Sequence, residues 1–228
     1  GVAAQTLRTI SELTASDGIL LDLLSSTDLI KAKKDPSRFT VLPDGFLIWG
    51  EVPFSEFSEI QDFGRPAVVL DPHHRTYRSF DGVSISVDNA GGAAAVAEHL
   101  ASHGVTSILF VLEDDAHLGQ TKRLEGSREF WFRNHPLSSF SSCMYSELTD
   151  AHLEEFCTEP SGGIFCSNDI TALQVWHRLQ SRGIQVPSQV KLAGFDGIKS
   201  ARALGLTSAM FDGETLGTAL RVYRCALR

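Results

Sequence analysis

The sequence predicts an α/β fold in which helices flank parallel β-sheets. Short apolar runs alternate along the chain with segments whose apolar residues recur at helical spacing. The clearest example lies between Gly162 and Ile198, where a strand, a helix and a second strand follow one another. A connection through a helix is typical of parallel strands, because parallel strands need a long crossover and cannot be joined by a tight hairpin. The same alternation over the whole chain favours parallel sheets that are covered by helices.

Each element between Gly162 and Ile198 is indicated by its residues. An apolar run at 164–166 predicts the first strand, and the run at 190–195 predicts the second. Asp169 is suited to cap the helix between them, because its carboxylate can accept hydrogen bonds from the first turn. The helix carries one apolar stripe and is expected to end at Gly183. The stripe consists of Ala172, Val175, Trp176 and Leu179.

The remaining elements are predicted from similar patterns in chain order. Helices are expected at 5–14, 28–34, around Phe57 and Ile60, after 89, and at 122–133, 150–156 and 214–227. Strands are expected at 19–24, within 44–53, and at 67–70, 83–87, 106–112, 140–145 and 206–211. The run at 106–112 is continuously apolar, which is typical of a strand buried on both faces.

Composition excludes several classes of function. The 228 residues are 43% hydrophobic and 21% charged, as in ordinary globular proteins. A formal charge of −8 argues against gripping nucleic acid with this surface alone. No apolar run is long enough to span a bilayer, so no membrane partner is predicted. The four cysteines lack C-x-x-C spacing, which favours free buried thiols and a reducing cytoplasm.

No enzyme, cofactor or metal site is predicted from the motifs. The sequence contains no G-x-S-x-G, P-loop, H-E-x-x-H or G-x-G-x-x-G. The acidic and histidine-containing stretches fit no standard ligand set, and a solvated loop is the simpler interpretation. These stretches are His73–His74, His99, His103 and Glu113–Asp115.

Three ordered motifs resemble the effector-binding core of the lactose/galactose (LacI/GalR-type) repressor family. The first is SND-x-x-A, a helix, RG-x-x-VP-x-x-V and then GFD, from Ser167 to Asp196. The second is VDNAGGAAAVAEHLASHGVTSILFVL, and the third is RLEG, which resembles the family's R-x-x-G. The resemblance implies a two-lobed periplasmic-binding-protein-like fold with a cleft between the lobes. One lobe would comprise 1–104 and 211–228, the other 105–210. No stretch resembles the family's helix-turn-helix headpiece.

The resemblance also implies a ligand site. Arg123, Asn168 and Asp196 match the family's ligand-binding residues, and their side chains offer the donors and acceptors that a polyhydroxylated molecule needs. Trp49 and Phe211 match cleft positions of the amino-terminal lobe and could stack on a ring. Each has a structural alternative: a solvated charge at a helix start for Arg123, turn chemistry for the other two polar residues, and core packing for both aromatics. Asp88 and Asn89 are explained as helix caps.

The expected function is therefore an effector-sensing, dimerising domain of a cytoplasmic transcription repressor. A small molecule, most simply a sugar, would bind between the lobes and favour one arrangement. The homodimer would control operator DNA binding by headpieces that are not in this sequence. Two alternatives stay open: an exported, monomeric sugar carrier of a membrane transporter, and a purine in place of the sugar.

Overall fold

The computed structural model describes residues 2–16, 18–35, 43–50, 52–72, 77, 80, 82–158, 161–210 and 215. They fall into an amino-terminal unit that includes Ala3–Val87 and a central unit that spans Asp88–Phe211. Each unit contains its own parallel sheet and helices that flank it. The predicted α/β class is confirmed.

The amino-terminal unit is built on a small three-stranded sheet. Its strands are β1 (Phe46–Trp49), β2 (Ala67–Leu70) and β3 (Val83–Ile85), which pair in that order and run parallel. Its helices are α1 (Val2–Ser16), α2 (Ser26–Lys34) and α3 (Phe54–Gln61). Burial of apolar side chains from both strands and helices forms its core, which includes Leu29, Ile48, Phe57, Ile60 and Val69.

The strand predicted at 19–24 is wrong. These residues form irregular structure, and the side chains of Leu20 and Leu23 are 94% and 76% exposed. An apolar run becomes a strand only where another strand accepts and donates its backbone hydrogen bonds. The described part of the chain supplies no such neighbour at 19–24, because β1 pairs only with β2.

The central unit contains a five-stranded parallel sheet. The strands are β4 (Ser107–Leu112), β5 (Ser139–Met144), β6 (Gly162–Cys166), β7 (Lys191–Phe195) and β8 (Thr207–Ala209), in the order β5-β4-β6-β7-β8. The helices are α4 (Asn89–Ser102), α5 (Leu118–Asn134), α6 (Asp150–Thr158), α7 (Asp169–Gln180) and α8 (Lys199–Ala203). A single 3-10 turn, Tyr145–Glu147, follows β5.

Helices cover both faces of this sheet. Alternate side chains of β4 enter opposite cores: Phe110 packs with Trp131 of α5, whereas Val111 packs with Val175 of α7. Phe110, Val111, Trp131 and Val175 are fully buried. A strand buried on both faces must be apolar throughout, which confirms the interpretation of the run at 106–112.

The predicted lobe boundaries differ from the two compact units at one element. The boundary at 104 assigns α4 to the amino-terminal lobe, whereas α4 packs against α5 and β8 inside the central unit. The assignment of 1–104 with 211–228 and of 105–210 to two lobes stays a prediction. The helix predicted at 214–227 lies almost entirely outside the described residues. Among the helices that are described, none has the length and apolar character needed to cross a bilayer.

Candidate functional site

The strand order of the central unit creates a topological switch point between β4 and β6. The chain leaves β4 to form β5 on one side and then adds β6 on the other side. In open parallel sheets, ligands bind outside the carboxyl ends of the strands at such a point. Glu113 follows β4 there, Ser167 and Asn168 follow β6, and Asp196 follows the neighbouring β7.

Arg123 contacts four other residues at this edge of the sheet. Its Nε donates to Oδ1 of Asn89 at 2.8 Å, and its Nη1 donates to the carbonyl oxygen of Ser167 at 2.7 Å. Its Nη2 lies 3.1 Å from Oδ1 of Asp196, and the guanidinium carbon lies 3.9 Å from the ring centre of Phe195. With 4% of its surface exposed, Arg123 is not a solvated charge. It joins α4, α5 and the ends of β6 and β7.

The local structure around Arg123 explains its burial. The helix α5 begins at Leu118, four residues earlier than predicted, so Arg123 lies in its second turn rather than at its start. One turn later, a Cβ atom on Gly126 would lie 2.4 Å from the carbonyl oxygen of Ala90. The missing side chain therefore lets α4 approach α5 closely enough for Asn89 to reach Arg123. The R-x-x-G pattern has a packing role as well as a polar one.

Asn89 has a role that the sequence did not indicate. Asp88 caps α4, as predicted, because its Oδ1 accepts a hydrogen bond from the Gly91 N–H at 2.9 Å. Asn89 is the first residue of the helix itself, is 4% exposed, and contacts Arg123 instead of capping. The capping interpretation is therefore wrong for Asn89.

Asn168 caps α7 and also contacts the loop after β4. Its Oδ1 accepts from the Thr171 N–H at 2.8 Å, so Asn168 is the cap and Asp169 is already helical, contrary to the prediction. Its Nδ2 donates to Oε2 of Glu113. The side chain of Glu113 thus takes part in the switch-point structure and is not simply a solvated loop residue.

Gln120 and Ser167 fix the loop between β4 and α5. The Ser167 hydroxyl donates to Oε1 of Gln120 at 2.7 Å, and that oxygen also accepts from the backbone N–H groups of Glu113 and Asp114, each at 3.1 Å. Gln120 is 4% exposed and Ser167 is fully buried. Neither was singled out from the sequence, although Gln120 lies one helical turn before Arg123 and Ser167 begins the SND motif.

Asp169 links the start of α7 to the turn after β7. Its Oδ2 accepts from the Ile198 N–H at 2.8 Å, whereas Oδ1 is buried and accepts no hydrogen bond from the described residues. A Cβ atom on Gly194 would lie 2.3 Å from Oδ1, so only glycine leaves room for the carboxylate. Burial raises the pKa of the Asp169 carboxyl, and the Ser208 hydroxyl and the backbone N–H groups of Ile198 and Gly197 offset this only in part.

This pKa shift predicts a pH dependence of folding. A carboxyl whose pKa is raised in the folded state holds its proton more tightly there, so the free energy of unfolding falls as pH rises above the ordinary carboxyl pKa. Relative to Asp169→Asn, the wild-type chain should gain stability when the pH is lowered from 7 towards 4. Urea denaturation of both proteins at each pH measures the difference between their free energies of unfolding. Contributions from the other carboxylates are the same in both proteins and cancel in this difference. A difference that grows in the opposite direction would contradict the assignment.

Asp196 has a strained backbone. Its φ is 101°, a region that side chains with a Cβ rarely adopt, and its N–H donates to the carbonyl oxygen of Ala209 at 2.8 Å. Such conformations persist where the surrounding structure enforces them, and they are common at ligand sites. The turn aims the Asp196 carboxylate at Arg123 and leaves it 33% exposed.

Two substitutions of Asp196 test whether its backbone conformation is strained, independently of its carboxylate. Both Asp196→Gly and Asp196→Ala remove the carboxylate, but only glycine adopts a positive φ freely. The glycine variant is expected to be more stable than the alanine variant by about 1 kcal/mol. This is the backbone strain that glycine relieves minus the conformational entropy that glycine gains in the unfolded chain. Thermal and urea denaturation of the pair test this. Equal stability, or a more stable alanine variant, would show that the backbone is not strained.

Neither aromatic candidate is among the described residues of the central unit. Trp49 is the half-buried last residue of β1, paired with Leu70 in the amino-terminal unit. Phe211 lies outside the described residues. Their ligand contacts stay predictions. In the described ranges, no three His, Cys, Asp or Glu side chains are grouped so that they could hold a metal ion.

Comparison with known proteins defines the class. Residues 97–220 match the family model of the periplasmic binding protein-like domain, which is more than half of the 228 residues. The chain belongs to this family. The resemblance to lactose/galactose-type repressors is also confirmed, because curated relatives are of that kind.

Two such relatives and one solved structure illustrate the similarity. The ribose operon repressor of Bacillus subtilis is 28% identical over 160 residues, covering 66% of this chain and 46% of the repressor. The regulator GalR of Escherichia coli is 25% identical over 161 residues, covering 67% and 46%. The chain thus spans about half the length of these relatives. A periplasmic binding protein/LacI transcriptional regulator from Alkaliphilus metalliredigens, complexed with D-xylulofuranose, has a similar fold. Its TM-score is 0.71 at 20% identity, with 95% of this chain and 82% of the other covered.

Proposed function

We propose that this chain is the effector-binding domain of a LacI/GalR-type transcription regulator, and that its effector is a small sugar. The observation that carries the proposal is the Arg123–Asp196 pair at the carboxyl edge of the parallel sheet. The buried guanidinium holds a partly exposed carboxylate in one orientation at the end of β7. A carboxylate fixed in this way can accept hydrogen bonds from two neighbouring hydroxyl groups of a sugar.

The other polar groups at this edge suit the same class of ligand. The Asn168 amide and the Glu113 carboxylate add a donor–acceptor pair beside the end of β6. Three such side chains at fixed positions favour a neutral polyol over an anion, because two of them are acidic. The names of the relatives agree with this chemistry, since one is a ribose operon repressor and one solved structure holds a pentose.

An effector can shift the equilibrium between two arrangements only if it binds them with different affinity. We therefore propose that it contacts both lobes, with Trp49 and Phe211 contributed by the amino-terminal lobe. In the regulator, two copies of the domain would form a homodimer, and the helix-turn-helix headpieces of that dimer would bind operator DNA. We place the protein in the cytoplasm and assign it no enzymatic activity.

Ligand-dependent thermal stabilisation tests the proposal. D-ribose, D-xylulose and D-galactose are compared with adenine and hypoxanthine, because a ligand at 100 times its Kd stabilises the folded state by about 2.7 kcal/mol. We expect a sugar to raise Tm by several degrees, and Asp196→Ala to abolish this shift. Glu129→Ala is the control, because Glu129 is an exposed carboxylate paired with an arginine on α5. If a sugar raises the Tm of Asp196→Ala as much as that of wild type, the site assignment is wrong. If only a purine raises Tm, the effector is a purine and not a sugar.

Light scattering distinguishes the regulator from its rival. The matched family is named for its likeness to periplasmic binding proteins, so an exported sugar carrier is the second candidate. A carrier is expected to be monomeric, whereas a regulator that binds a palindromic operator is dimeric. A monomer at all concentrations would favour the carrier.

A further inference from the structure

The carboxyl-terminal end of α4 carries two exposed histidines on one face. His99 and His103 are four residues apart, so the helix places one above the other. Their ring centres are 4.3 Å apart and the rings are inclined by 42°. The prediction that they lie in a solvated loop is wrong, because His99 belongs to α4 and His103 is its C-cap residue. The helix instead brings their imidazoles into direct contact.

A hydrogen bond fixes the tautomer of His103. Its Nδ1 lies 2.8 Å from the carbonyl oxygen of His99, and a carbonyl oxygen only accepts, so Nδ1 must carry the hydrogen. The Ser102 hydroxyl donates to the same carbonyl and lies 3.1 Å from Nδ1. Nε2 of His103 is then the nitrogen with a lone pair. Metal-binding histidines have this arrangement, in which the second ring nitrogen donates to a backbone carbonyl.

The separation of the rings also fits a shared ion. A ring nitrogen binds Zn²⁺ at about 2.0–2.1 Å, which places the centre of each ring about 3.2 Å from the ion. Two imidazoles at neighbouring positions of a tetrahedral or octahedral ion then have centres about 4.5–5.2 Å apart. The observed 4.3 Å is about 0.2 Å shorter than the octahedral value and about 0.9 Å shorter than the tetrahedral one, and rotation of the two exposed side chains can supply the difference.

We propose that His99 and His103 form a bidentate site for a divalent transition-metal ion such as Zn²⁺, Ni²⁺ or Cu²⁺. Imidazole nitrogen suits these ions, whereas Mg²⁺ and Ca²⁺ prefer oxygen ligands. Water, or a side chain of another molecule, completes the coordination. The site is separate from the effector site, because His99 and His103 lie about 15 Å and about 21 Å along α4 from Asn89.

Nickel titration of the full chain tests this proposal. Isothermal titration calorimetry measures affinity, and paramagnetic broadening of histidine ring protons in NMR spectra identifies the residues. We expect Ni²⁺ to broaden the signals of His99 and His103 first. His99→Ala and His103→Ala should each weaken binding about tenfold or more, since one ligand of a chelating pair is lost. The double variant, which keeps neither imidazole, should lose Ni²⁺ binding at this site altogether.

The control is His177→Ala, which removes an exposed histidine of α7 that has no second histidine one helical turn away. It should leave the Ni²⁺ affinity of the His99–His103 pair unchanged, and MgCl₂ should give no binding heat. Unchanged affinity in both His99→Ala and His103→Ala, or broadening confined to other histidines, would overturn the proposal. Because both side chains are exposed, equal Tm values for the variants are expected and confirm that folding is intact.

Discussion

Replacing Arg123 with alanine is expected to lower the free energy of unfolding by about 3–5 kcal/mol, because two buried acceptors and a partly exposed carboxylate lose hydrogen bonds to a charged donor. Three acceptors each lose a donor at once: Oδ1 of Asn89, the carbonyl oxygen of Ser167 and the Asp196 carboxylate. Asn89 and Ser167 are buried, so water cannot easily replace the guanidinium. Urea denaturation of the wild-type and variant chains measures the loss.

Two further variants give this prediction its controls. Arg133→Ala, at an exposed arginine near the end of the same helix, breaks an exposed pair with Glu129 and should cost no more than about 0.5 kcal/mol. Arg123→Lys keeps the charge but loses the planar group that donates in three directions. Its free energy of unfolding should therefore lie between those of the wild type and Arg123→Ala. An Arg123→Ala variant as stable as Arg133→Ala would show that the network contributes nothing.

The network around Arg123 also has a functional consequence. If the effector binds at Asp196, a chain that folds without the guanidinium should still lose affinity, because the carboxylate is no longer held in one orientation. Arg123→Lys is the informative variant, since it is expected to stay folded. Its sugar-dependent thermal shift should be smaller than that of wild type.

Patterns that depend on neighbouring residues were predictable from the sequence. The strand–helix–strand unit from Gly162 to Ile198 is predictable because its apolar period and its glycine after the helix lie close together in the sequence, and only the capping residue differs, by one position. The apolar run of β4 showed burial on both faces for the same reason. Asp196 was placed at a strand end by the GFD motif. These features follow from local backbone preferences.

Contacts between distant residues could not be predicted in the same way. Arg123 meets Asn89 across 34 residues and Ser167 across 44, and no local pattern encodes either pair. Asn89 therefore seemed to be a cap, and Glu113 a loop residue. The positive φ of Asp196 is likewise enforced by the pairing of β7 with β8, which the residue itself does not favour.

The strand predicted at 19–24 failed for a related reason. Its composition satisfies the local rule, but a strand also needs a partner that supplies hydrogen bonds. Only the assembled sheet determines whether that partner exists.

Gly126→Ala is expected to destabilise the chain by about 2–3 kcal/mol, although alanine favours an isolated helix over glycine by about 1 kcal/mol. The new Cβ would lie within 2.4–2.8 Å of three backbone atoms of Ala90, so α4 and α5 must separate. Backbone atoms cannot rotate away as a side chain can. Glu125→Ala, an exposed position on the same helix, is the control and should change stability by less than about 0.5 kcal/mol.

A double-mutant cycle identifies the mechanism of this loss. If Gly126→Ala pushes α4 away from α5, it also lengthens the hydrogen bond from Arg123 to Asn89, which lies next to Ala90 in sequence. Asn89→Ala should then cost less in the Gly126→Ala background than in wild type, with a coupling of about 0.5–3 kcal/mol. Additive losses would mean that the two helices separate without disturbing Arg123. In that case Gly126 would contribute only to helix packing, and its role would be independent of the hydrogen bonds that Arg123 makes.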